Sequence, residues 1–159
     1  MMNDLYKDIR FWIMSLIPDS DPNKAYQNGI SMPEDAILMT ILFETPLDQL
    51  TQDYQGREDD GSTYVKNSIQ AKVQIDCYGK DAHARATKIA SMWQTMYTTE
   101  QLQYCQPLYA RRPRDLTFIN ETGQYELRFL VELDLQYNTV YDVSLQTFKT
   151  LPNTELNDV

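Results

Sequence analysis

The feature that most constrains the fold is a strand pattern that leads directly into a helix pattern. From Ile69 to Tyr78, apolar and polar residues alternate with a period of two, as in a strand with one buried face. Gly79 and Lys80 break the alternation, and Asp81 is expected to accept the first free N–H groups of a helix as its N-cap. From Ala82 to Met96, apolar residues then recur at helical spacing. The two apolar faces are predicted to pack against each other.

Segments before this unit predict a further helix and two strands. From Asn3 to Leu16, five apolar side chains fall on one helical stripe, and the helix is expected to end before Pro18. A short strand is expected from Ala25 to Gln27, followed by a turn at Asn28 and Gly29. The segment from Ala36 to Leu47 is apolar on both alternating faces, which favours a position inside the sheet.

The middle of the chain predicts a polar excursion and a long strand. From Asp48 to Gly61 there are few apolar residues, so this segment is expected to be an exposed loop or the tip of a hairpin. The strand that runs through Ile69 is expected to start near Ser62. A strand of that length can extend past its own sheet and reach a neighbour.

The last third of the chain predicts a hairpin followed by a tail. The hairpin consists of a strand from Asp115 to Ile119, a turn from Asn120 to Gly123 and a strand from Tyr125 to Tyr137. In the second strand, Tyr125, Leu127 and every second residue through Tyr137 are expected on one apolar face. From Asn138 onward the alternation is lost, and the end of the chain is acidic and polar.

These elements predict an α+β fold, a mainly antiparallel sheet with two amphipathic helices packed on one face. The 159 residues suit a single domain, assigned to residues 1–140, with a polar acidic tail at 141–159 that is mobile or ordered by a partner. Cys77 and Cys105 do not form a disulfide framework, so a reducing compartment is the simpler setting. Cys77 lies on the apolar side of its strand and is expected to be buried.

Charge and hydropathy argue against two classes of partner. A net charge of −9 and a pI near 4.5 disfavour a protein that binds nucleic acid by neutralising phosphates. No apolar run is long enough to span a membrane, and no secretory signal is evident at the start of the chain.

No residue pattern in the chain points to catalysis. The single histidine, His83, has no nucleophile and acid at a spacing that suggests a triad, and it is expected to lie on the surface. Metal-ligand spacing and glycine-rich phosphate loops are both missing. Glu132 and Asp134 share the polar face of a strand, where a solvated or intersubunit role is favoured over an acid pair. We therefore expect no catalytic residue, no cofactor and no metal.

One basic cluster stands out in this acidic chain. Arg111, Arg112 and Arg114 surround Pro113, and Tyr109 precedes them. The arginines can pair with the protein's own acids, or they can bind a carboxylate-bearing partner, including another copy of the chain. Tyrosine and arginine are typical interface residues, so this segment is a candidate subunit or partner interface.

Three stretches together resemble the phage neck and tail terminator family of tailed bacteriophages and prophages. They are Tyr26-Gln-Asn-Gly-Ile-Ser-Met-Pro33, then Val73-Gln-Ile-Asp-Cys-Tyr-Gly79 with its helix, and a C-terminal set that includes Pro107-Leu-Tyr109, Phe118-Ile-Asn120, Gln124-Tyr-Glu126 and Leu135-Gln-Tyr-Asn138. The similarity lies in their combination and order over roughly residues 1 to 140, since none of them is a catalytic signature.

The resemblance implies a structural virion protein with no substrate and no cofactor. Such terminators form a ring, commonly of six copies, on the last ring of the tail tube. The ring stops tube growth and presents a docking surface to the neck or connector protein, and DNA passes through its lumen without sequence-specific binding. Assembly is expected in the cytoplasm of the bacterial host.

A ring also suggests roles for the charged segments. It needs a heterologous interface, for which the segment from Asp48 to Ser68 and the arginine cluster are the two candidate sides. Acidic side chains in the lumen would repel DNA phosphates, and the candidates are Asp53, Glu58, Asp59 and Asp60. Two alternatives stay open: a head-completion or connector protein at the adjacent neck position, and a monomeric adaptor that binds through the arginines.

Overall fold

A computed structural model of the chain describes residues 2–25, 33–47, 51–55 and 61–145. Within these ranges there are three helices, α1 (Met2–Leu16), α2 (Ala82–Trp93) and α3 (Met96–Gln101). The strands in the same ranges are β1 (Pro22–Lys24), β2 (Ile37–Pro46), β3 (Thr51–Gln55), β4 (Gly61–Tyr78), β5 (Gln106–Ala110), β6 (Arg114–Asp115), β7 (Phe118–Ile119), β8 (Tyr125–Glu126) and β9 (Arg128–Leu145).

The main sheet has the strand order β1-β2-β4-β9-β5. Strand β3 pairs with β4 beyond the end of β2, β6 pairs with β9 beyond β5, and β7 and β8 form a separate two-stranded hairpin. Every pairing is antiparallel except that of β1 with β2, which is parallel. The predicted α+β class with a mainly antiparallel sheet is therefore confirmed.

The core lies between one face of the sheet and the helices. The odd-numbered residues of β4 from Ala71 to Cys77 have no exposed surface, which confirms the alternation predicted for this strand. They pack in one cluster with apolar residues of α1 and α2. The rings of Trp12 in α1 and Trp93 in α2 meet edge to face, with centroids 5.0 Å apart, so the two helices also contact each other.

The two longest strands extend well beyond this core. Strands β4 and β9 have 18 residues each and pair along their full length without a register shift, from Gly61 opposite Leu145 to Tyr78 opposite Arg128. Beyond the helices, β3 joins them to make a three-stranded extension, which we call the arm: β3, residues 61–66 of β4 and residues 140–145 of β9. The predicted long strand that starts near Ser62 is thus confirmed, and so is the hairpin alternative for the polar segment before it.

The helix after β4 differs from the prediction in its cap and its end. The side chain of Asp81 makes no capping hydrogen bond, so the predicted N-cap interaction is wrong. The helix ends at Trp93 and not at Met96, which is 75% exposed at the start of α3. Thr95 interrupts the helix because its extended backbone and its side chain cap α3, where its hydroxyl accepts a hydrogen bond from the N–H of Thr98.

The short early strand and the interior position of β2 were only partly predicted. Strand β1 covers Pro22–Lys24 and Ala25 lies in a turn, while the rest of the predicted strand, 26–27, and the predicted turn at 28–29 lie outside the described residues. Strand β2 does lie between two strands at its start, but β1 pairs only with Ile37 to Met39. The second half of β2 is exposed, with Phe43 at 49%, so its apolar character does not reflect burial.

The predicted C-terminal hairpin divides into shorter pieces and a longer strand. Tyr125 is 77% exposed and Leu127 is 40% exposed, so neither lies on the buried face that begins with Val131. Tyr125 belongs to the small β7–β8 hairpin, which forms a sheet of its own, and Leu127 lies between β8 and β9. Strand β9 continues to Leu145, past the point where the alternation was expected to end. The proposed domain boundary near residue 140 stays a prediction, and residues 146–159 lie outside the described part.

Candidate functional site

The titratable groups that usually perform catalysis are scattered in this fold. His83 is exposed and its ring packs edge to face on Phe129, with centroids 4.9 Å apart. Burial raises the pKa of the Cys77 thiol to about 12, and burial together with Asp8 raises the pKa of Cys105. Within the described ranges, no three His, Cys, Asp or Glu side chains are close enough to hold a metal, and no helix is long and apolar enough to cross a membrane. The surfaces of the molecule are therefore of more interest than its cavities.

The arginine cluster lies between β5 and β6, which both pair with the same side of β9. It follows β5, and the backbone N–H of Arg111 donates to the carbonyl oxygen of Glu132 at 3.0 Å. The side chains of Arg111 and Arg114 both approach the Glu132 carboxylate, at 3.3 Å each. Their side chains nevertheless stay 59% and 62% exposed, so they remain accessible to another acidic group.

Glu132 belongs to a larger charged network on the face of the sheet away from the helices. Lys72 Nζ lies 3.7 Å from Glu132 and 3.8 Å from Asp134. Asp134 Oδ1 is buried and has no hydrogen-bond partner within the described residues. Both carboxylates are mostly buried, so this pair is neither solvated nor an acid pair with an open site; it neutralises the lysine and arginines of the network.

Arg112 differs from its two neighbours in the cluster. It is exposed, and no carboxylate among the described residues lies within ion-pair distance. Tyr109 is also exposed, at 55%. The two interpretations of the cluster therefore apply to different residues: Arg111 and Arg114 pair with the protein's own Glu132, whereas Arg112 and Tyr109 are available for a partner.

One face of the arm carries two acidic side chains, together with the exposed Lys66 and Val140 nearer the core. Asp53 of β3 lies opposite Tyr64 of β4, which in turn lies opposite Asp142 of β9, so the two acids occupy one row across the arm. Both carboxylates are exposed. Asp142 was not singled out from the sequence because the chain beyond residue 138 was not expected to be a strand. The other three proposed lumen residues, Glu58, Asp59 and Asp60, lie outside the described residues.

The opposite face of the arm is uncharged and mostly apolar, with Gln52 and Thr63 as its polar members. Side chains on this face continue the line of the buried core residues of β4 and β9, but no helix of the described chain covers them. The exposed members are Tyr54 at 58%, Tyr141 at 61% and Val143 at 47%. An exposed aromatic and aliphatic surface of this kind is typical of a contact with another protein.

The two candidate surfaces lie on opposite flanks of the same sheet. Strand β3 and the second half of β2 form one flank, on the far side of β4. Strands β5 and β6, with the arginine cluster between them, form the other flank, on the far side of β9. Asp53 and the arginines are therefore not brought together within one chain.

A second exposed apolar surface lies at the β7–β8 hairpin. Its exposed residues include Phe118, Ile119 and Tyr125. A groove of about 470 Å³ separates this hairpin from Gly79 and Lys80. This surface was not predicted from the sequence, because Tyr125 was expected on a buried strand face.

Comparison with known proteins identifies one family. No curated protein matches the chain. The family model described as phage neck terminator protein matches residues 3–158, which is nearly the whole chain. An α+β sheet with helices on one face, exposed surfaces on both flanks and scattered titratable groups is consistent with a structural role. The chain belongs to the phage neck terminator protein family.

Proposed function

We propose that the protein forms a ring of about six copies at the head-proximal end of a phage tail. The ring ends the growth of the tail tube and joins the tube to the neck, and DNA passes through its lumen. The observation that carries this proposal is the match of the terminator family to residues 3–158. Family membership makes the chain a structural protein of the phage neck and therefore of the virion.

The two flanks of the sheet support a ring in particular. A closed ring needs two different surfaces on each copy, related by a rotation. The arm with Asp53 and the segment with Tyr109, Arg111, Arg112 and Arg114 lie on opposite flanks. A carboxylate on one copy can then face the free Arg112 of the next copy, which has no ion-pair partner in the described part of its own chain.

The acidic face of the arm supports a passage for DNA. Asp53 and Asp142 expose carboxylates in one row, and the chain as a whole carries a net charge of −9. Acidic side chains that line a lumen repel phosphates over a screening length of about 8 Å at physiological salt, so the duplex slides without adhering. We propose Asp53 as a lumen residue, add Asp142 to it, and keep Glu58, Asp59 and Asp60 as candidates from the sequence.

The alternatives differ in assembly and in position. A connector or head-completion protein would bind the neck but would not limit the length of the tail tube. A monomeric adaptor would bind a partner through Arg112 and Tyr109 and would keep a mass near 18.6 kDa. No observation favours either over the terminator.

The test measures mass and tube length together. Light scattering after size exclusion gives the mass of the full chain alone and after mixing with polymerising tail-tube protein. A ring, or capped tubes of reduced length, supports the proposal. A monomer that neither binds nor shortens tubes overturns it and favours the adaptor.

A further inference from the structure

The outer edge of β9 is unpaired along the arm. Strand β5 pairs with β9 only as far as Gln136, and no described strand continues along that edge. The backbone carbonyls of Arg128 and Glu132 accept hydrogen bonds from the outer side of β9. Because β9 pairs with β4 without a register shift, the backbone N–H and C=O groups of its even-numbered residues point to this outer side through Val140 and Asp142. Their backbone donors and acceptors therefore point toward the open edge.

The outer edge of β3 is also unpaired, on the other side of the arm. Even-numbered residues of β4, such as Ser68 and Tyr78, direct their backbone groups toward the flank that β2 and β3 occupy. The β3 residues opposite even-numbered β4 residues are Thr51 and Asp53, so they point inward to β4. Gln52 and Tyr54 consequently point outward, and within the described residues no strand pairs with them.

The two open edges lie at the same level of the arm. Thr51 is opposite Lys66, which is opposite Val140, and three rows further along Tyr54 is opposite Thr63 and Val143. Each edge offers a short row of free donors and acceptors. Open edges of this kind are templates for pairing with another chain, and proteins usually block them with proline, charge or a covering segment. Within the described residues, no strand covers either edge of the arm.

We propose that the β9 edge of the arm in one copy pairs with the β3 edge of the arm in the next copy, so that the arms close into a continuous β-barrel around the ring axis. This inference rests on the ring of the proposed function and names the contact that closes it. The partner is a second copy of this chain because each copy supplies one edge of each kind at matching height.

The strand directions at the junction follow from the pairing within the arm. Both β3 and β9 are antiparallel to β4, so they run in the same direction. Rotation about a ring axis preserves the direction of each strand along that axis. The junction between copies is therefore parallel, whereas both pairings within each arm are antiparallel.

The face of the arm that lines the barrel follows from the position of the helices. Helices α1 and α2 lie on the side of the sheet that bears the uncharged face of the arm. They cannot fit inside a closed barrel, so that face points outward and the face with Asp53 and Asp142 lines the lumen. Because the strands of a barrel are tilted, the two strands at each junction are displaced along their length relative to each other. This displacement also separates Asp142 of one copy from Asp53 of the next.

The dimensions of such a barrel suit a DNA channel. About six copies with three strands each give about eighteen strands, and a spacing of about 4.8 Å with a tilt of about 40° gives a backbone diameter of roughly 35 Å. Side chains that project roughly 5 Å from the wall leave a channel of about 25 Å, which is wider than a DNA duplex.

Cysteine cross-linking tests the junction directly. Gln52→Cys places a thiol on the β3 edge, and Tyr141→Cys and Val143→Cys place single exposed thiols along β9 at neighbouring offsets. The native Cys77 and Cys105 are buried, so the full chain serves as the background. A short bis-maleimide reagent is added to the assembled protein, alone or on tail tubes. Glu100→Cys, exposed on α3, is the matched control.

The expected result depends on whether a β3 variant and a β9 variant are present together. Gln52→Cys alone and each β9 variant alone should give no cross-linked dimer, whereas Gln52→Cys mixed with a β9 variant should give one. A chain that carries both substitutions should give a ladder that ends at the copy number of the ring. Cross-linking of a single variant with itself overturns the proposal, because it shows a two-fold contact between identical edges.

Edge prolines give a second readout that does not depend on a reagent. Val140→Pro removes an outward N–H of β9 without removing a bond to β4, which an edge strand tolerates. Val140→Pro is expected to reduce ring formation at least tenfold while circular dichroism and the thermal midpoint of the monomer stay close to those of the unmodified chain. Val140→Ala is the control and should assemble normally.

The results separate the inference from the proposed function. Rings or capped tubes that form with no cross-link between β3 and β9, and that tolerate Val140→Pro, overturn the barrel but leave the terminator intact. If no oligomer forms alone or on tubes, the proposed function and the inference both fail.

Discussion

The indole Nε1 of Trp12 donates a hydrogen bond of 2.9 Å to Thr98 Oγ1 at the bottom of the core. Thr98 has no exposed surface, and its hydroxyl in turn donates to the carbonyl oxygen of Met92 at the end of α2. This chain of hydrogen bonds connects α1 to the break between α2 and α3. The break was not predicted from the sequence. At the break, the buried hydroxyl of Thr98 is one of the groups that donate to the Met92 carbonyl.

Replacing this hydroxyl should therefore destabilise the fold. Thr98→Val keeps the shape of the side chain but leaves the buried Trp12 N–H without a partner, at a cost of about 1–3 kcal/mol in the free energy of unfolding. The Met92 carbonyl keeps its hydrogen bonds from the N–H and the hydroxyl of Thr95. The measurement is urea denaturation of the monomer followed by tryptophan fluorescence. The matched control is Thr99→Val on the exposed side of α3, which should change stability by less than about 0.5 kcal/mol. Equal losses in both variants would show that the hydrogen bond is not responsible.

The two cysteines should be unreactive in the folded protein. Burial raises the pKa of Cys77 to about 12, and since only the thiolate attacks, roughly one molecule in ten thousand is reactive at pH 8. Burial and the neighbouring Asp8 raise the pKa of Cys105 as well. Ellman's reagent should therefore detect no thiol at pH 8 in the native chain and both thiols after unfolding in urea. Stoichiometric labelling of the native chain would contradict the burial of either residue, and Glu100→Cys should react at once as a positive control.

The core of the fold could be predicted from local patterns, because burial follows the alternation within β4 and the stripe of α1. Residues such as Val73 and Ile9 are fully buried in the one core cluster, and their period alone identifies the buried face. The limits of β9 could not be predicted in this way. Its last residues, such as Val140 and Tyr141, are exposed on both faces and extend only because β4 pairs with them. Without burial, no alternation is required.

The candidate surfaces were predictable to a similar degree. Charge clustering identified Arg111, Arg112 and Arg114 in the sequence, but only the fold distinguishes the two that bind Glu132 from Arg112, which has no ion-pair partner in the described part of the chain. Asp142 lies in one row with Asp53, with Tyr64 between them, only through the pairing of three strands. A single sequence contains no signal for that arrangement.

Tyr137 gives a test of the contact between β9 and β2. Its hydroxyl donates a hydrogen bond to the carboxylate of Glu44, and burial followed by this bond raises the pKa of the phenol. Because the fold favours the neutral phenol, its contribution to stability is complete below about pH 10, the pKa of an unfolded tyrosine, and is lost as the pH rises toward the higher folded value.

The ultraviolet absorbance of phenolate is measured as the pH rises, in the native chain and in Tyr137→Phe. Both should release the same number of protons between roughly pH 9 and 11, because Tyr137 does not ionise in that range. A native chain that shows one extra ionisation there would contradict the raised pKa. The control is the same titration after unfolding in urea, where Tyr137→Phe should lower the count by one.

The acidic face of the arm should control how assembled rings interact with DNA. Rings of the native chain are expected not to retain linear duplex DNA, because the lumen repels phosphates. The double variant Asp53→Lys with Asp142→Lys should retain DNA at low salt and release it as salt rises, since lysine contacts with phosphates exchange counterions. Filter binding over a salt series measures this. The control places the same charge change outside the arm, with Asp4→Lys and Glu100→Lys. If the control rings retain DNA as strongly as the arm variant, the effect comes from net charge and not from the lumen.

Arg112 provides the sharpest test of the arginine cluster, because its two neighbours already have an acidic partner. Arg112→Glu removes no ion pair within the described chain, so the free energy of unfolding should change by less than about 0.5 kcal/mol. If an acidic surface of the next copy binds this side chain, charge reversal places like charges together and ring formation should fall at least tenfold. Arg111→Ala is the informative comparison, since it removes one of the cations around the mostly buried Glu132 and should weaken the monomer first. Sedimentation velocity measures assembly, and urea denaturation of the same samples measures stability. If Arg112→Glu forms normal rings, this residue is not part of the interface. The proposed pairing of the arm edges would then be the contact that holds the copies together.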